Sequence, residues 1–426
     1  MTRPQFHFTA ESGWINDPHG ITLHDGRYDV FYQYVPDSMI WSPNCHWGHA
    51  VGSDLFSLRH LPVALAPGDG DDGIWTGSLI QDGNEGATIF YTSTSAPDHG
   101  LGRIRTASAN DDDWVQWDKG PVVAEAPHDL DVAVYRDPFV FRDGDQWRMF
   151  VGCGLRDGTA AAVGYRSGDL EVWTYEGIAA SRSRDERSPV WTGSLWECPQ
   201  LFELDGRHVL VTSVWDDDVL HHVAYGVGTF ENGRFTADAW GQLTYGRSYY
   251  APSFFRDADG RPCLTFWMRG VRDAAEGWSS AHSVPHVLSL DGTALVARPH
   301  PDLDAYLGPI VDSDADLGLA GDVRWEPRPG DELIVRSGDR QVLRLEVAGG
   351  SLVVFGGVDT WAMPHDGGAI RLVLDGPTAE ISTGSGIIGS TISVVEAPLT
   401  VTASGEQPVV RALVRDDDSF SASVIR

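Results

Sequence analysis

The sequence has little of what marks disulfide-stapled, membrane-spanning or nucleic-acid-binding proteins. Its 426 residues include only four cysteines and no CxxC pair, which argues against a disulfide scaffold and a zinc ribbon. No apolar run approaches the roughly 18 residues that a membrane helix needs. Basic residues number 31 against 61 acidic ones, and the formal charge of −30 repels phosphate backbones and anionic lipids. We therefore expect neither a nucleic-acid nor a membrane partner.

A secretory signal is also missing from the first residues. They lack the apolar stretch of roughly 7 to 15 residues that such a signal contains. This absence predicts a cytoplasmic protein whose thiols are reduced.

Length and tryptophan content divide the chain in two. Its 426 residues exceed the roughly 250 to 300 at which a single core stops growing, so we expect one large and one smaller domain. Fourteen of the 16 tryptophans precede residue 300. The prolines of residues 297–309 break regular structure and suit a linker with one helical turn. We predict a first domain over 1–300, a linker over 301–309 and a second domain over 310–426.

A hairpin unit recurs five times in the predicted first domain. Each unit is a β-type run, an Asp-Gly turn and a second β-type run, a strong hairpin signal because Gly accepts the positive φ of a tight turn. Successive turns lie 57, 61, 62 and 54 residues apart, which leaves room for four short strands. The spacing predicts an all-β fold that begins with a five-bladed β-propeller, although Asp-Gly turns also recur by chance in β-rich proteins. The turns are Asp25-Gly26, Asp82-Gly83, Asp143-Gly144, Asp205-Gly206 and Asp259-Gly260.

The C-terminal part predicts a β-sandwich. Residues 332–336, 341–346 and 352–355 alternate or run apolar between glycines. Nothing catalytic stands out there, so we expect a structural role or self-association into a homo-oligomer.

Three aspartate triads raise the question of a calcium site. Asp111 to Asp113, Asp216 to Asp218 and Asp416 to Asp418 lack the spacing of a known calcium loop, and such runs more often form solvated loops. We therefore expect no metal. The stretch from Asp216 to His222 is predicted to rim a pocket.

Three carboxylates precede the turns at similar distances. Asp17 and Glu197 lie eight residues before their turn aspartates and Asp137 lies six before, and each acid is followed by proline, directly or one residue on. The first strand of each propeller blade lines a central channel, so the three acids are predicted to converge. Residues 75–78 of the second unit and 250–252 of the fifth should lie at the same height.

Clustered carboxylates beside aromatic residues suit the cleavage of a glycosidic bond. That reaction needs one ionised and one protonated acid. Glu197, flanked by Trp196 and Cys198, is predicted to be the proton donor, because a less polar setting favours the protonated form.

The two aspartates are assigned the ionised roles. Asp17, with Asn16 available as a hydrogen-bond donor, is predicted to be the nucleophile. Asp137, next to Arg136, should stay charged and accept hydrogen bonds from sugar hydroxyls. Each motif taken alone also has an ordinary structural explanation, because Asp-Pro and Asn-Asp are common turn residues.

Seven ordered motifs between Trp14 and about residue 300 carry a resemblance. They are WINDPHG, FYQYVP, HWGHAVGSDL, WTGS, RDP, WECPQLFELDG and YAPS. Through them the chain resembles glycoside hydrolase family 32. The resemblance implies a five-bladed propeller followed by a β-sandwich, and a retaining hydrolase of terminal β-D-fructofuranosyl residues in sucrose or short fructans that works through a fructosyl-enzyme intermediate without a cofactor.

Carried over residue by residue, the resemblance gives Asp17, Glu197 and Asp137 the roles of nucleophile, acid/base and transition-state stabiliser. For each tryptophan and for Gln33, core packing is the competing explanation. The fructose pocket that the resemblance implies is lined by Asn16, Gln33, Trp41, Trp75, Thr76, Arg136, Tyr250 and Trp267.

Several alternatives stay open at this point. Fructosyl transfer to another sugar, an inverting mechanism and a non-catalytic carbohydrate-binding propeller each fit part of the pattern. Variable loops build the subsites beyond fructose, so the sequence does not choose among sucrose, inulin and levan. Phosphorylated sucrose is disfavoured by the charge balance.

The chain departs from the family pattern at three places. His19 replaces a usual asparagine, and Thr244 stands where an aspartate is common. After Pro285, the family's arginine and glutamate are replaced by His286 and Val287, so an ion pair near the domain junction is lost. The junction geometry and the leaving-group preference therefore cannot be carried over.

Overall fold

A computed structural model describes residues 3–81, 86–312, 314–357, 359–393 and 398–415. Nearly all regular structure in these ranges is β-strand, with one short 3-10 helix at Pro301–Tyr306. In the part of the chain that the structure describes, no helix has both the length and the apolar character to cross a membrane.

The chain up to residue 299 forms five sheets or sheet segments of antiparallel strands, which are the blades of a propeller. Blade one holds β1 (Gly13–His24), β2 (Arg27–Val35), β3 (His46–Gly52) and β4 (Arg59–Leu65). Blade two holds β5 (Gly73–Gln81), β6 (Ala87–Thr94), β7 (Arg103–Ala109) and β8 (Trp117–Ala124). Blade three holds β9 (Val132–Asp143), β10 (Gln146–Leu155), β11 (Thr159–Ser167) and β12 (Thr174–Ser183).

The remaining blades complete the ring. Blade four holds β13 (Leu195–Leu204), β14 (Arg207–Asp216), β15 (Val219–Glu231) and β16 (Arg234–Gln242), and the short strand β17 (Thr244–Tyr245) follows it. Blade five holds β18 (Tyr249–Arg256), β19 (Pro262–Asp273), β20 (Trp278–His282), β21 (His286–Asp291) and β22 (Ala294–Pro299).

Asp-Gly turns connect the first two strands of the blades, as predicted from the spacing. Asp25 and Gly26 have φ values of 48° and 77°, and Asp205 and Gly206 have 52° and 74°. Two successive positive φ values define the tight turn that matches the twist of a hairpin. The turn predicted at Asp82-Gly83 lies outside the described residues.

The ring is closed by main-chain pairing and by apolar contacts between blades. β1 pairs in parallel with β20, with Gly13 opposite Trp278. Between blades one and two, Trp47 packs in one buried cluster with Ile74 and Ile89. Similar clusters fill the other blade interfaces. Each fully buried large side chain contributes about 1.5–3 kcal/mol, so these interfaces hold the ring together.

At one level of the ring, each innermost strand carries one residue more than the strand it pairs with. These strands are β1, β5, β9, β13 and β18. In β1, the pairs Ile15–Tyr34 and Pro18–Tyr32 enclose two residues on one strand and one on the other. The other four strands show the same excess of one residue. Such a bulge bends the strand and re-aims its side chains.

Alignment of the bulged strands on Pro18, Pro138, Pro199 and Pro252, with Gly77 at the equivalent place in blade two, defines two rows of side chains. In each blade, the second-row residue directly follows the first-row residue in the chain. Three of the five second-row residues, Asp137, Cys198 and Ala251, have positive φ values of 65°, 48° and 42°. Positive φ at non-glycine residues costs free energy and is concentrated at functional sites. The first row is Asn16, Trp75, Arg136, Glu197 and Tyr250, and the second row is Asp17, Thr76, Asp137, Cys198 and Ala251.

The two rows correct one prediction. The sequence places Asp17, Asp137 and Glu197 at matching repeat positions. In the structure the equivalent of the two aspartates in blade four is Cys198, and Glu197 lies one residue earlier, in the first row. The difference arises because the proline follows the aspartates directly but follows Glu197 one residue later.

Hydroxyl groups of neighbouring strands satisfy the backbone groups that the bulges free. Thr92 Oγ1 accepts a hydrogen bond from Asp137 N at 2.8 Å and donates one to Thr76 O at 2.9 Å. Ser213 Oγ accepts one from Ala251 N at 3.0 Å. Buried backbone groups need such partners, so the bulges are stable features of the ring.

The C-terminal part confirms the predicted sandwich of two sheets. One sheet has the order β17-β31-β30-β29-β24-β33-β23 and the other β28-β27-β26-β25-β32. The strands are β23 (Leu307–Val311), β24 (Ala320–Trp325), β25 (Glu332–Ser337), β26 (Arg340–Ala348), β27 (Ser351–Gly356), β28 (Asp359–Pro364), β29 (Ile370–Asp375), β30 (Thr378–Ser382), β31 (Ile387–Thr391), β32 (Leu399–Ser404) and β33 (Val409–Leu413).

A buried cluster of one imidazole and two carboxylates joins the sandwich to the N-terminal segment. His7 Nδ1 lies 2.8 Å from Asp375 Oδ2, and His7 Nε2 lies 3.0 Å from Glu380 Oε1. Glu380 Oε1 also accepts a hydrogen bond from Val284 N at 3.0 Å. Burial opposes the charged ring, but Glu380 and the hydrogen bond to Asp375 outweigh it and raise the pKa of His7 to about 9.

The cluster of His7, Asp375 and Glu380 provides ion pairs at the junction where the family's arginine and glutamate are missing. His286 Nε2 lies 3.9 Å from Glu380 Oε2, so the residue that replaces the family's arginine still faces a carboxylate. The stronger partner of Glu380 is His7. The division of the chain at 301–309 stays a prediction.

The aspartate triads make ordinary loop contacts. Asp111 accepts hydrogen bonds from the backbone amides of Val115 and Gln116, and Asp216 and Asp217 both pair with Arg184. The third triad, Asp416 to Asp418, lies outside the described residues.

We predict that His7→Gln lowers the free energy of unfolding by about 3 kcal/mol near pH 6, because it leaves two buried carboxylates without their cation. The folded pKa of about 9 exceeds the ordinary 6.5, so this contribution is complete below about pH 6.5 and is lost as the pH rises through about 9. Denaturant unfolding at pH 6, 8 and 10 measures it, with exposed His128→Gln as control. A His7 variant as stable as the parent at pH 6 contradicts the role of the cluster.

Candidate active site

Two hydrogen-bonded groups lie at these rows, one built mainly from second-row residues and one from first-row residues, and Asn16 of the first row also donates to Asp17. Asp17 and Asp137 belong to the second-row group and Glu197 to the first-row group. The charge of Glu197 acts on both aspartates. The structure therefore brings the three predicted acids into one cluster.

Asp17 lies in a dense hydrogen-bonded setting. It is 8% exposed and accepts hydrogen bonds from Thr76 Oγ1 at 2.6 Å, Asn16 Nδ2 at 3.0 Å and Gln33 Nε2 at 3.3 Å. Burial, with a smaller contribution from the charge of Glu197, outweighs the hydrogen bonds and raises the pKa of Asp17 to about 6. At neutral pH Asp17 is ionised.

Asp137 is buried more completely and titrates at higher pH. Cys198 N donates to its Oδ2 at 3.0 Å. Burial and the charges of Glu197 and Asp17 raise the pKa of Asp137 to about 8, against the opposing charge of Arg136. Arg136 favours the charged form of Asp137, as expected, but burial acts more strongly and the guanidinium hydrogen-bonds to Glu197 rather than to Asp137.

Glu197 accepts hydrogen bonds from Arg136 and Tyr250, which the sequence analysis assigned to Asp137 and to the fructose pocket. Arg136 donates to its Oε1 from Nε at 3.0 Å and from Nη2 at 2.8 Å, and Tyr250 Oη donates to its Oε2 at 2.6 Å. The setting of Glu197 is therefore more polar than its neighbours in sequence suggest. Trp196 instead points into the core, where its ring packs against Trp240 at 5.5 Å.

Aromatic rings surround this cluster on two sides. On one side Trp41, which is 45% exposed, packs edge-on against Trp75 at 5.6 Å, and the guanidinium of Arg136 lies 5.8 Å from the Trp75 ring. Trp75 is fixed by a hydrogen bond from Nε1 to Pro43 O at 2.8 Å. The exposed Trp41 is therefore the ring that a ligand reaches first.

On the other side lie Trp267 and Trp14, whose rings pack edge-on at 5.6 Å. Trp267 is 6% exposed, and its ring lies 6.3 Å from that of Tyr250. Its Nε1 has no hydrogen-bond partner among the described residues. Leu220 packs against the same cluster, so the predicted 216–222 stretch does reach the site.

Sequence reasoning missed two residues of the site. Cys198 Sγ lies 3.7 Å from Asp17 Oδ2 and 3.6 Å from Asp137 Oδ2, and alignment on the prolines would have placed it beside them. Arg269 follows Trp267 by two residues on β19 and so faces the same side of the strand. Its guanidinium lies 4.9 Å from the ring of Tyr250.

A cavity of about 50 Å³ adjoins the second row and takes lining residues from all five blades. That volume suits a few water molecules rather than a sugar. A sugar therefore reaches the carboxyls from the side of the first row. His19, the departure from the family pattern, is among the residues that line this cavity.

In the described part of the chain, one group of residues has metal-ligand types at short range: Asp257, Cys263 and His300, whose donor atoms lie within 4.8 Å of one another. His300 Nδ1 accepts a hydrogen bond from Asp302 N, so its Nε2 carries the proton that it donates to Asp257 at 2.8 Å. Arg261 also pairs with Asp257. These donors serve a structural network, and the residues do not fit a metal.

Comparison with known proteins places the chain among carbohydrate-active proteins. The sequence profile described as "Glycosyl hydrolases family 32 N-terminal domain" matches residues 7–299. A sucrose-6-phosphate hydrolase of Zymomonas mobilis is 32% identical over 327 residues, which cover 71% of this chain and 62% of that protein. A levanase of Bacillus subtilis is 33% identical over 344 residues, which cover 72% of this chain and 48% of that protein. The chain thus matches less than two thirds of the length of these relatives.

A solved structure shows the same fold over nearly the whole chain. A mutant Bombyx mori GH32 beta-fructofuranosidase in complex with sucrose superposes with a TM-score of 0.85 at 23% identity, covering 97% of this chain and 94% of that one. The likeness confirms the predicted order of propeller and sandwich.

We predict that Thr76→Val raises the pKa of Asp17 above its value of about 6, because the hydroxyl hydrogen bond stabilises the ionised form. A hydrogen bond to a charged group of roughly 1.5 kcal/mol corresponds to a shift of about one unit. Carboxyl ¹³C NMR titration of aspartate-labelled protein, assigned with Asp17→Asn, measures it. Exposed Thr174→Val is the control, and an unmoved midpoint in Thr76→Val refutes the contribution of this hydrogen bond.

Proposed function

The chain belongs to glycoside hydrolase family 32, and we propose that it is a retaining β-fructofuranosidase that cleaves terminal β-D-fructofuranosyl residues from sucrose or short fructans. The observation that carries the proposal is one cluster in which Asp17 accepts hydrogen bonds from Thr76 and Asn16 while Glu197 is hydrogen-bonded separately by Arg136 and Tyr250. Hydrolysis of a glycosidic bond uses such a pair of carboxyls. Both steps are nucleophilic substitutions with proton transfer, so the chemistry needs no cofactor.

The names of similar proteins support fructosides as the substrate class. The Zymomonas relative is named a sucrose-6-phosphate hydrolase, the Bacillus relative a levanase, and the Bombyx structure holds sucrose. All three names refer to compounds with a fructofuranosyl unit.

In the first step, a carboxylate oxygen of Asp17 attacks C2 of the fructosyl unit. The bond from C2 to the leaving oxygen breaks, and Glu197 gives its proton to that oxygen. A fructosyl ester of Asp17 results. The hydrogen bonds from Asn16 and Thr76 hold the attacking carboxylate in one orientation.

In the second step, Glu197 takes a proton from water and the water oxygen attacks C2. The ester bond to Asp17 breaks, and fructose leaves with its original β configuration. The two inversions at C2 give net retention.

We propose that Asp17, Asp137 and Glu197 share one proton and that Glu197 delivers it to the leaving oxygen. Burial and the neighbouring carboxylates raise the pKa of Asp137, which favours a proton on this cluster of three carboxyls. Sugar hydroxyls that donate to Asp137 favour its ionised form. Repulsion among the three carboxylates then favours Glu197 as the site of the remaining proton.

The arginines near the cluster favour a neutral sugar over a phosphorylated one. Arg136 is bound to Glu197, Arg184 to Asp216 and Asp217, and Arg269 to two backbone carbonyls. None of these three is left to pair with a phosphate. The chain's charge of −30 acts in the same direction.

We predict that Asp17→Asn and Glu197→Gln each fold normally and lower kcat for sucrose by about 10³-fold or more, because each removes an essential nucleophile or proton donor without changing shape. Initial-rate assays of released fructose measure this. The exposed Asp291→Asn and Glu171→Gln are matched controls that should keep full activity. Near-normal hydrolysis by either site variant refutes the assignment.

We predict hydrolysis of sucrose and short fructans with free fructose as product and with little activity on sucrose 6-phosphate. Chromatography of products from sucrose, sucrose 6-phosphate, inulin and levan tests the substrate class. Proton NMR in the first minutes should show the β anomer of fructose. Oligosaccharides that accumulate at high sucrose identify a transferase instead, and binding heat without any product identifies a non-catalytic propeller.

A further inference from the structure

Arg269 links the wall of the site to a loop of the neighbouring blade. It lies on β19 of blade five, and its Nη1 and Nη2 donate to Leu220 O at 3.0 Å and His221 O at 3.2 Å in blade four. Its backbone N donates to Ser248 O at 2.9 Å. The side chain thus bridges two blades at the place where both border the carboxyl cluster.

The same guanidinium faces two aromatic rings. Its central carbon lies 4.9 Å from the ring centroid of Tyr250 and 5.9 Å from that of Trp267. Within about 6 Å of a ring face a cation is attracted to the π electrons. The hydroxyl of Tyr250 in turn donates a hydrogen bond to Glu197 Oε2 at 2.6 Å.

Two arginines therefore act on Glu197, one by direct contact and one through an intervening side chain. Arg136 binds its Oε1 directly, whereas Arg269 reaches its Oε2 through the phenol of Tyr250. A cation on the ring face makes the phenol a stronger hydrogen-bond donor, because it withdraws electron density from the oxygen. A stronger donor favours the ionised form of the acceptor carboxyl.

We propose that Arg269 is a positioning residue for Glu197, which acts by polarising and holding the Tyr250 hydroxyl while it binds the 220–221 backbone against the same wall. The inference rests on the proposed function, because that function makes Glu197 the acid/base. It extends that function by naming a residue that does not touch the substrate and that controls when Glu197 holds its proton.

Other charged and titratable groups also face these two residues. Those around Glu197 are Arg136 and Asp137 on β9, Asp17 on β1, and its neighbour Cys198. Those around Arg269 are Tyr250, Glu197 itself, Arg247 and His221. The test must therefore separate Arg269 from this background.

Two variants of Arg269 separate charge from loop binding. Arg269→Met keeps the length of the side chain and removes the charge, whereas Arg269→Lys keeps the charge and loses the two-pronged contact with the loop. ¹³C NMR titration of glutamate-labelled protein, with Glu197→Gln for assignment, reports the ionisation of Glu197 without any need for activity. We expect the Glu197 midpoint to move up by about half a unit to one unit in Arg269→Met and to stay in place in Arg269→Lys.

Kinetics provide the second readout. The alkaline limb of kcat/KM for sucrose should move up with the NMR midpoint in Arg269→Met, because the acid keeps its proton to higher pH. In a Tyr250→Phe background the same substitution should move neither. An unmoved midpoint in Arg269→Met overturns the proposal, and so does a full shift that persists after Tyr250→Phe has removed the phenol hydroxyl.

The two hypotheses fail separately. A protein that shows the expected NMR shifts but hydrolyses no fructoside retains the positioning role and rejects the proposed function. A protein that hydrolyses sucrose while Arg269→Met and Arg269→Lys lose activity equally, with unchanged pH profiles, retains the function and rejects the positioning role.

Discussion

The one-residue bulge on every innermost strand is the constraint on which the site depends. A regular strand would alternate its side chains between the two neighbouring blade interfaces, where apolar packing is required. The extra residue breaks this alternation at one level of the ring and lets polar side chains of consecutive positions, such as Glu197 and Cys198, both face the centre. Proline lies inside the bulge in blades three, four and five, where a ladder donor is not needed, and directly after it in blade one. The strained backbone at Asp137 is compensated by the hydroxyl of Thr92.

The pKa values of the two aspartates in this ring depend more on burial than on a charged neighbour in the sequence. Asp17 and Asp137 are both buried, yet the pKa of the first is raised to about 6 and that of the second to about 8. Thr76 and Asn16 donate to Asp17, whereas Asp137 has the charges of two other carboxyls against it. The protein thus gives two chemically similar carboxyls different pKa values through the donors and charges around each. Arg136 belongs to this scheme as a partner of Glu197.

The sandwich contributes to the same geometry from a distance. Asp375 and Glu380 bind the imidazole of His7 and so fix the N-terminal segment that leads into β1, the strand that carries Asp17. The strand β17 also pairs with β31, with Thr244 opposite Ile387, which ties the end of blade four to the sandwich. Thr244, a departure from the family pattern, is therefore part of the connection between one sheet of the sandwich and the ring. The sandwich in this way helps to hold the blades that supply the carboxyl cluster.

The sequence by itself determined the number of blades, the turns that separate their strands and the residues that meet at the centre, because Asp-Gly turns and the motifs around Asp17, Asp137 and Glu197 are local signals. It did not determine which donor binds which acid. Arg136 precedes Asp137 in the chain yet binds Glu197, 61 residues away, and Arg269 lies against the ring of Tyr250, whose hydroxyl donates to Glu197. These pairings depend on how adjacent blades are turned toward each other and on the register shift at each bulge. Hydrogen bonds and desolvation act over a few ångströms in space, so only the tertiary structure could decide the protonation states and the contacts of the site.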